Sequence, residues 1–124
     1  MNGIVILTEN YTYEGNIINK YPHGHGKFQY ANGDVYIGHC HLGKPDGYGK
    51  YTYVNGSTYQ GFFTFGKFSG IGTFEDNKHI YKGTWRNDNR HGSFYKTNKL
   101  TFQSFKQMWV KGKLMSSIAV QYIP

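Results

Sequence analysis

The sequence predicts an all-β protein, an antiparallel meander of about eleven short strands made of repeated hairpins. A Tyr-x-Gly segment recurs every 22 or 23 residues, beginning at Tyr13, Tyr36, Tyr59 and Tyr81. Within each repeat the marked positions follow period two, the spacing that places side chains on one face of a strand. Asn32-Gly33 and Asn55-Gly56 lie between repeats, and Asn-Gly is the strongest short hairpin signal.

The composition restricts the class of protein. The chain has 124 residues, which suits a single domain. Its 12 Tyr, 9 Phe and 2 Trp argue against disorder, because disordered segments lack apolar side chains to bury. The single cysteine, Cys40, rules out an internal disulfide and suits a reducing compartment. The longest apolar run covers only residues 4–7, and no basic segment precedes it. We therefore expect an intracellular, cytoplasmic protein without a secretory signal.

The repeat divides residues 1–124 into one domain of about five units with no linker. Four units begin at about residues 13, 36, 59 and 81. A fifth begins at about residue 105, where Phe105 replaces the leading Tyr and Gln107 replaces its glycine. The ends follow the same spacing more weakly, since terminal repeats have to close an open face.

Both ends are interpreted from this spacing. Residues 3–7 are predicted to form an N-terminal half-unit, because Gly3, Val5 and Leu7 lie 23 residues before Gly26, Phe28 and Tyr30. Residues 114–124 are predicted to form a C-terminal cap. In units four and five the glycine positions are expected to be filled by Phe94, Ser116 and Ile118.

Glycine in a strand interior weakens the strand, so its repeated presence needs a reason. On the same face as the aromatic residues, glycine leaves the backbone bare, and a ring from a neighbouring strand can lie flat against it. Each ring can then bury about 150–250 Å² without a second layer of structure. The expected aromatic platform, structural or partner-binding, consists of Tyr13, Phe28, Tyr36, Tyr51, Tyr59, Phe63, Phe74, Tyr81, Trp85 and Trp109.

The pattern Tyr-x-Gly-x-aromatic-x-x-Gly-Lys-x-x-Gly-x-Gly resembles the MORN repeat, and residues 59–72 match it almost column for column. The resemblance covers about residues 3–122 and implies an elongated, twisted, single-layer sheet that serves as a binding platform. It implies a non-enzymatic scaffold or adaptor for protein partners, including a second copy of the chain, or a protein associated with membranes and phosphoinositides. Cys40 and Ile17 depart from the aromatic column of the family. Small stand-alone arrays of this kind occur in protists, bacteria and large cytoplasmic DNA viruses. A viral origin would place the protein in the host cytoplasm or the virion.

The net charge of +7 is unevenly distributed. Residues 1–62 carry four lysines and four acids, whereas residues 77–124 carry nine basic residues and one acid, Asp88. The candidates for binding an anionic partner or lipid are Lys78, Lys82, Arg86, Arg90, Lys96, Lys99, Lys106, Lys111 and Lys113. An acidic membrane adds about 1 kcal/mol for each basic residue near its surface. The alternative is a solvated surface that keeps the protein soluble.

Other kinds of site find less support. Basic and aromatic residues alternate around Trp85, a pattern that could bind nucleic acid, but the repeat already explains the rings. Zinc-ligand residue types cluster at His23, His25, His39, Cys40 and His41. In a strand, however, Cys40 should face away from His39 and His41, so no metal site is predicted. The seven acids form no catalytic pair, and we expect neither enzymatic activity, a cofactor nor a small-molecule substrate.

Two hypotheses of function follow from the sequence. The first is a scaffold that binds a protein partner through the aromatic face or an open sheet edge, because unpaired edge strands invite pairing. The second is a peripheral membrane protein that binds acidic lipids through its basic C-terminal half. Both can hold for one molecule.

Overall fold

The fold is a single antiparallel sheet, seen in a computed structural model that describes residues 4–121 and 123. Its eleven strands pair in sequence order, and the all-β meander is confirmed. The strands are β1 (Ile4–Leu7), β2 (Tyr11–Ile18), β3 (Tyr21–Tyr30), β4 (Val35–His41), β5 (Lys44–Thr52), β6 (Thr58–Thr64), β7 (Lys67–Glu75), β8 (His79–Arg86), β9 (Asn89–Asn98), β10 (Ser104–Val110) and β11 (Lys113–Val120). Every unit is one hairpin, so each strand forms its backbone hydrogen bonds only with its neighbours in the chain.

The sheet has two unlike faces. The face that we call inner carries the aromatic core, whose fully buried rings include Tyr13, Phe28, Tyr36, Tyr59 and Phe94. The opposite face, called outer, has no further layer packed on it within the described residues. Because successive side chains of a strand alternate between faces, the register between strands assigns each residue to one of them.

Glycines form a row across the inner face. Gly38 pairs with Gly49, Gly61 with Gly72, and Gly72 in turn with Gly83. The ring of the leading tyrosine lies over this row: a Cβ atom built on Gly72 would overlap the ring of Tyr59. The predicted glycine–ring packing is therefore present in these units.

Tyrosine hydroxyls anchor the rings in this arrangement. The hydroxyl of Tyr59 donates to the carbonyl of Phe62 at 2.9 Å, and that of Tyr13 donates to the carbonyl of Asn16 at 2.6 Å. Burial raises the pKa of Tyr13 and Tyr59, so both hydroxyls keep their protons. In unit four the indole N–H of Trp85 donates to the carbonyl of Gly72 at 3.1 Å. These bonds fix ring orientation within a layer only one strand thick.

The hairpins of units one to four each contain a bulge at the same place. Between Gly38 and Cys40 the register to β5 shifts, because the span from Pro45 to Gly49 opposes the shorter span from Cys40 to Gly38. Gly47 in the bulge has φ +100°, and the equivalent residue in the next unit, Gly70, has φ +95°. A left-handed backbone of this kind favours glycine, which explains the glycine column eleven residues after each leading tyrosine.

The turns within hairpins have two residues with positive φ, the type I′ geometry that suits strand twist. Strand β4 extends to His41 and strand β5 begins at Lys44, so only Leu42 and Gly43 form the turn of unit two. Leu42 has φ 46° and Phe65, its equivalent in unit three, has φ 48°. Both side chains are exposed, so they hold an unfavourable conformation without burying much surface.

Replacing these two turn residues should stabilise the protein. Asparagine adopts positive φ at lower cost than leucine or phenylalanine, so Leu42→Asn and Phe65→Asn should each raise the free energy of unfolding by about 0.5–1 kcal/mol. Urea denaturation measures it. Asn19, the equivalent residue of unit one, has φ 47° and provides the reverse control. Asn19→Leu should lose a similar amount, and a gain there would contradict the explanation.

The structure corrects two details at the ends. Ile6 lies opposite Tyr13 on the inner face, whereas Val5 and Leu7 are exposed, so the N-terminal half-unit is out of phase by one residue; Gly3 lies outside the described residues. At the other end the glycine row continues through Phe94 and the buried Gln107 to Ser117.

Ser116 and Ile118 therefore do not fill that row. They face outward, because a bulge between Met108 and Trp109 shifts the register to β11. All eight residues of β11 are exposed, and the strand has one paired edge. Residues 122 and 124 of the predicted cap lie outside the described part of the chain.

Candidate interaction surface

The aromatic platform lies together on the inner face, but its rings are mostly used up in packing. Phe68 stacks on Tyr59 with ring centroids 3.7 Å apart and an interplanar angle of 5°. Of the ten predicted platform residues, seven are buried, namely Tyr13, Phe28, Tyr36, Tyr59, Phe63, Tyr81 and Trp85. Tyr51, Phe74 and Trp109 are partly buried against them. The inner face is thus primarily the core of the protein.

The nine basic candidates do not form one patch. Lys82, Arg86, Lys106 and Lys113 lie on the outer face by strand alternation, and Arg90 and Lys96 lie on the inner face. Lys78, Lys99 and Lys111 lie in turns, at both long edges of the sheet. Lys99 bonds to Glu75 at 3.1 Å, the one ion pair between side chains of the described residues. The basic C-terminal half therefore divides its charge between two faces.

The inner-face cations contact the ring of Tyr81. The guanidinium carbon of Arg90 lies 3.8 Å from its centroid, and the ammonium of Lys96 lies 5.5 Å from it. Arg90 occupies the position that Phe68 has in unit three, where the phenyl ring stacks on Tyr59. A cation thus replaces an apolar ring at this point of the array.

The histidines pair across β3 and β4. The rings of His23 and His41 lie 4.7 Å apart, and those of His25 and His39 lie 5.4 Å apart. Cys40 is buried on the other face, 3.7 Å from the hydroxyl of Tyr13, and burial raises the pKa of its thiol. In the part of the chain that the structure describes, no three His, Cys, Asp or Glu residues converge as a metal site requires.

The outer face carries an apolar cluster that the sequence analysis missed. Ile37, Tyr48, Phe62 and Ile71 are 47%, 47%, 46% and 67% exposed, and we call them the outer cluster. Tyr48 pairs with Phe62 across β5 and β6, with ring centroids 5.4 Å apart. A groove of about 320 Å³ begins beside it, lined by Ile37, Tyr48 and Lys50 together with His25 and His39. The signal was available, because strands β4 to β7 place apolar residues on both faces.

A row of lysines runs beside the outer cluster. The register places Lys27, Lys50, Lys82 and Lys106 in one line across the outer face. The residues between them are neutral, namely Ile37, Gln60, Thr73 and Tyr95, and Glu14 stands at one end. With strands about 4.8 Å apart, the four lysines extend over about 34 Å. We call this set the lysine row.

Comparison with protein families agrees with this geometry. The MORN repeat model matches residues 13–35, 36–58, 59–78 and 81–93, which is more than half of the chain. The chain belongs to the MORN-repeat family. Repeats of this family generally take part in protein–protein or membrane interactions, and proteins built from them are typically scaffolds without enzymatic activity. A comparison with curated protein sequences found no match.

No helix in the described residues of this MORN array has the length and apolar character needed to cross a membrane. The two faces of the array differ in what they expose. The inner face is filled by its own rings, while the outer face exposes apolar and basic side chains side by side.

Proposed function

We propose that this MORN array is a non-enzymatic scaffold that binds a protein partner on its outer face. The observation that supports this most is the outer cluster, in which four large apolar side chains are exposed on a continuous sheet. Exposed apolar residues are unremarkable when scattered, but a contiguous patch marks an interaction surface. Tyr48 and Phe62 contact each other, so the patch has a defined shape before a partner arrives.

The lysine row restricts the chemistry of the partner. Lys50 lines the groove beside Ile37 and Tyr48, so apolar and cationic groups are presented together. A segment with alternating apolar and acidic side chains would bury the first against the outer cluster and pair the second with lysines. Charges of this kind mainly favour encounter and orientation, while the buried apolar groups supply most of the affinity.

Two other binding partners are tested in the same experiments, namely a second copy of the chain and an acidic membrane. A second copy of the chain could pair through β11, whose eight residues are exposed and whose second edge is open. An acidic membrane could bind the same lysines, since Lys82, Arg86, Lys106 and Lys113 of the C-terminal half share the outer face with Lys27 and Lys50. The partial separation of the basic residues between faces makes the membrane the second candidate.

The experiment compares capture by the wild type with capture by an outer-cluster variant. Phe62→Ser with Ile71→Ser removes the apolar contact, and Phe65→Ser removes a still more exposed phenylalanine from a turn. Proteins retained from an extract of the cells that naturally express the chain are identified by mass spectrometry, purified and titrated by calorimetry. We expect at least one whose dissociation constant rises about tenfold or more in the outer-cluster variant. It should be unchanged in Phe65→Ser.

The same variants separate the alternatives. Lys50→Glu with Lys82→Glu should weaken binding of the protein partner. If the wild type floats with vesicles of phosphatidylcholine and phosphatidylserine, the same variant should not. If the outer-cluster variant retains every protein partner while charge reversal abolishes vesicle binding, that result would contradict the proposal. It would indicate that the surface binds an acidic membrane. Sedimentation as a concentration-dependent dimer, unaffected by these substitutions, would point to β11 and a second copy.

A further inference from the structure

Arg90 is unusual in its surroundings on the inner face. Its guanidinium carbon lies 3.8 Å from the ring centroid of Tyr81, 4.6 Å from that of Trp109 and 5.9 Å from that of Trp85. Three aromatic rings thus surround one cation, which holds the guanidinium plane in place.

The guanidinium of Arg90 forms no ion pair within the described residues. No carboxylate approaches its guanidinium within 4.0 Å, and its Nε is buried without a hydrogen-bond acceptor. Burial lowers the pKa of the guanidinium, although arginine stays protonated in proteins. A cation partly removed from water and lacking an anion is costly, and an unpaired buried donor adds to that cost.

Comparison with the other units shows that stacking on aromatic rings does not by itself explain why this position holds an arginine. At the equivalent position unit three has Phe68, which stacks on Tyr59 at 3.7 Å with no unpaired polar group. Units one and two have Pro22 and Pro45 there. An apolar residue would therefore complete unit four at lower cost, so the guanidinium needs another reason.

A cavity beside Arg90 supplies that reason. It has a volume of about 180 Å³ and is lined by Trp85, Asp88, Asn89, Arg90, Trp109 and Gly112. This is room for a carboxylate and its first methylene groups. The ring centroids of Tyr81 and Trp109 lie 3.8 Å and 4.6 Å from the guanidinium carbon, and Arg90 itself lines the cavity. A planar carboxylate bonds the edge of a guanidinium with two parallel hydrogen bonds.

The cavity also discriminates between anions. Asp88 lines it, with one oxygen accepting from the amide of Phe68 at 2.8 Å, so a second negative charge already stands nearby. One guanidinium balances the charge of a carboxylate, whereas a dianionic phosphate would keep one unbalanced negative charge beside Asp88, so the site favours the carboxylate. We propose that Arg90, held by Tyr81, Trp85 and Trp109, is a binding site for a carboxylate group. The site lies on the face opposite the outer cluster and does not depend on the function proposed above.

The test uses tryptophan fluorescence, because the chain has two tryptophans and both line this cavity. The probe is a short acetylated and amidated peptide of glutamates, with the glutamine peptide as its uncharged match. Sodium acetate and a peptide with a free C-terminal carboxylate test other sources of the group, and inorganic phosphate tests the other anion. The glutamate peptide should change the emission saturably, and the glutamine peptide should not.

Arg90→Phe is the matched variant, since it copies the stacking of Phe68 on Tyr59 and should fold. Its affinity for the glutamate peptide should be at least tenfold lower than that of the wild type. Arg90→Lys should weaken it several-fold, because lysine keeps the charge but lacks the planar fork. Lys106→Met, on the outer face, should leave the affinity unchanged.

Three results would overturn the proposal. They are equal affinity in Arg90→Phe with thermal unfolding intact, no saturable change with any of the carboxylates up to about 10 mM, and saturation by phosphate in preference to every carboxylate. Saturation by acetate or the free C-terminus alone, lost in Arg90→Phe, would support the site and assign the source of the carboxylate. None of these variants changes the outer cluster. Capture of a protein partner on the outer face therefore tests the proposed function independently of the Arg90 site.

Discussion

Substituting Gly72 by alanine should destabilise the protein by about 3 kcal/mol, at the upper end of what overpacking costs in a core. Gly72 has an ordinary strand backbone, so alanine meets no conformational penalty there. The added Cβ atom would instead overlap the ring of Tyr59, which is fully buried between its neighbours and cannot move aside. Urea denaturation followed by circular dichroism measures the loss.

The steric cause can be separated from a general effect of changing glycine. A Cβ atom on Gly66 meets nothing within 4 Å, and that residue has φ +82°, so Gly66→Ala should cost only the backbone strain of about 1–2 kcal/mol. Tyr59→Ala removes the ring that Gly72→Ala would strike. The double variant should be about as stable as Tyr59→Ala alone, a coupling of about 3 kcal/mol. Additive losses would mean that the ring is not what excludes a side chain at Gly72.

Much of this fold could be predicted because the same pairs of packed residues recur in several units. Gly72 and Tyr59 occupy columns that recur in units one and two, and period two placed them on one face. The exceptions lie where the chain departs from strict alternation. The bulge in β10 and β11 moved Ser117 into the position expected for Ile118, and no residue type in the sequence marks that shift.

The candidate surfaces were harder to predict for a related reason. Net charge by segment cannot distinguish faces, so Arg90 and Lys106 were grouped although they lie on opposite sides of the sheet. The repeat does not mark the outer cluster, because apolar residues do not recur at its positions in every unit. Tyr48 and Ile71 occupy equivalent positions in successive units, but unit one has His25 there and unit four has Ser93. In a repeat array the residues that bind other molecules lie at positions where the units differ. A single sequence shows which positions differ but not which of them bind.

Asp34 illustrates a structural role hidden in an ordinary turn sequence. It is 6% exposed, and its carboxylate accepts from the hydroxyl of Tyr51 at 2.7 Å, the amide N–H of Val54 at 2.9 Å and the side-chain amide of Asn32 at 3.1 Å. It thereby joins the turn after β3 to the turn after β5. Asp34→Ala should cost about 3 kcal/mol, because three donors lose a charged acceptor in a buried place. Asp46→Ala is the control, since that carboxylate accepts one bond, from the amide of Phe65, and should cost less than about 1 kcal/mol.

The contribution of Asp34 should also depend on pH in a defined direction. Burial alone raises the pKa of its carboxyl, but the bonds from Tyr51, Val54 and Asn32 outweigh burial and leave the pKa below its usual value. A carboxyl with a lowered pKa stabilises the fold fully above its unfolded pKa of about 3.9, and that stabilisation disappears as the pH falls through the folded value. The difference in unfolding free energy between the wild type and Asp34→Asn should therefore be constant near neutral pH and shrink below about pH 4. Asp76, whose pKa is also lowered, is present in both proteins and cancels in the difference. A gap that stays constant down to pH 2 would mean that the charge of Asp34 contributes nothing and that only its shape is required.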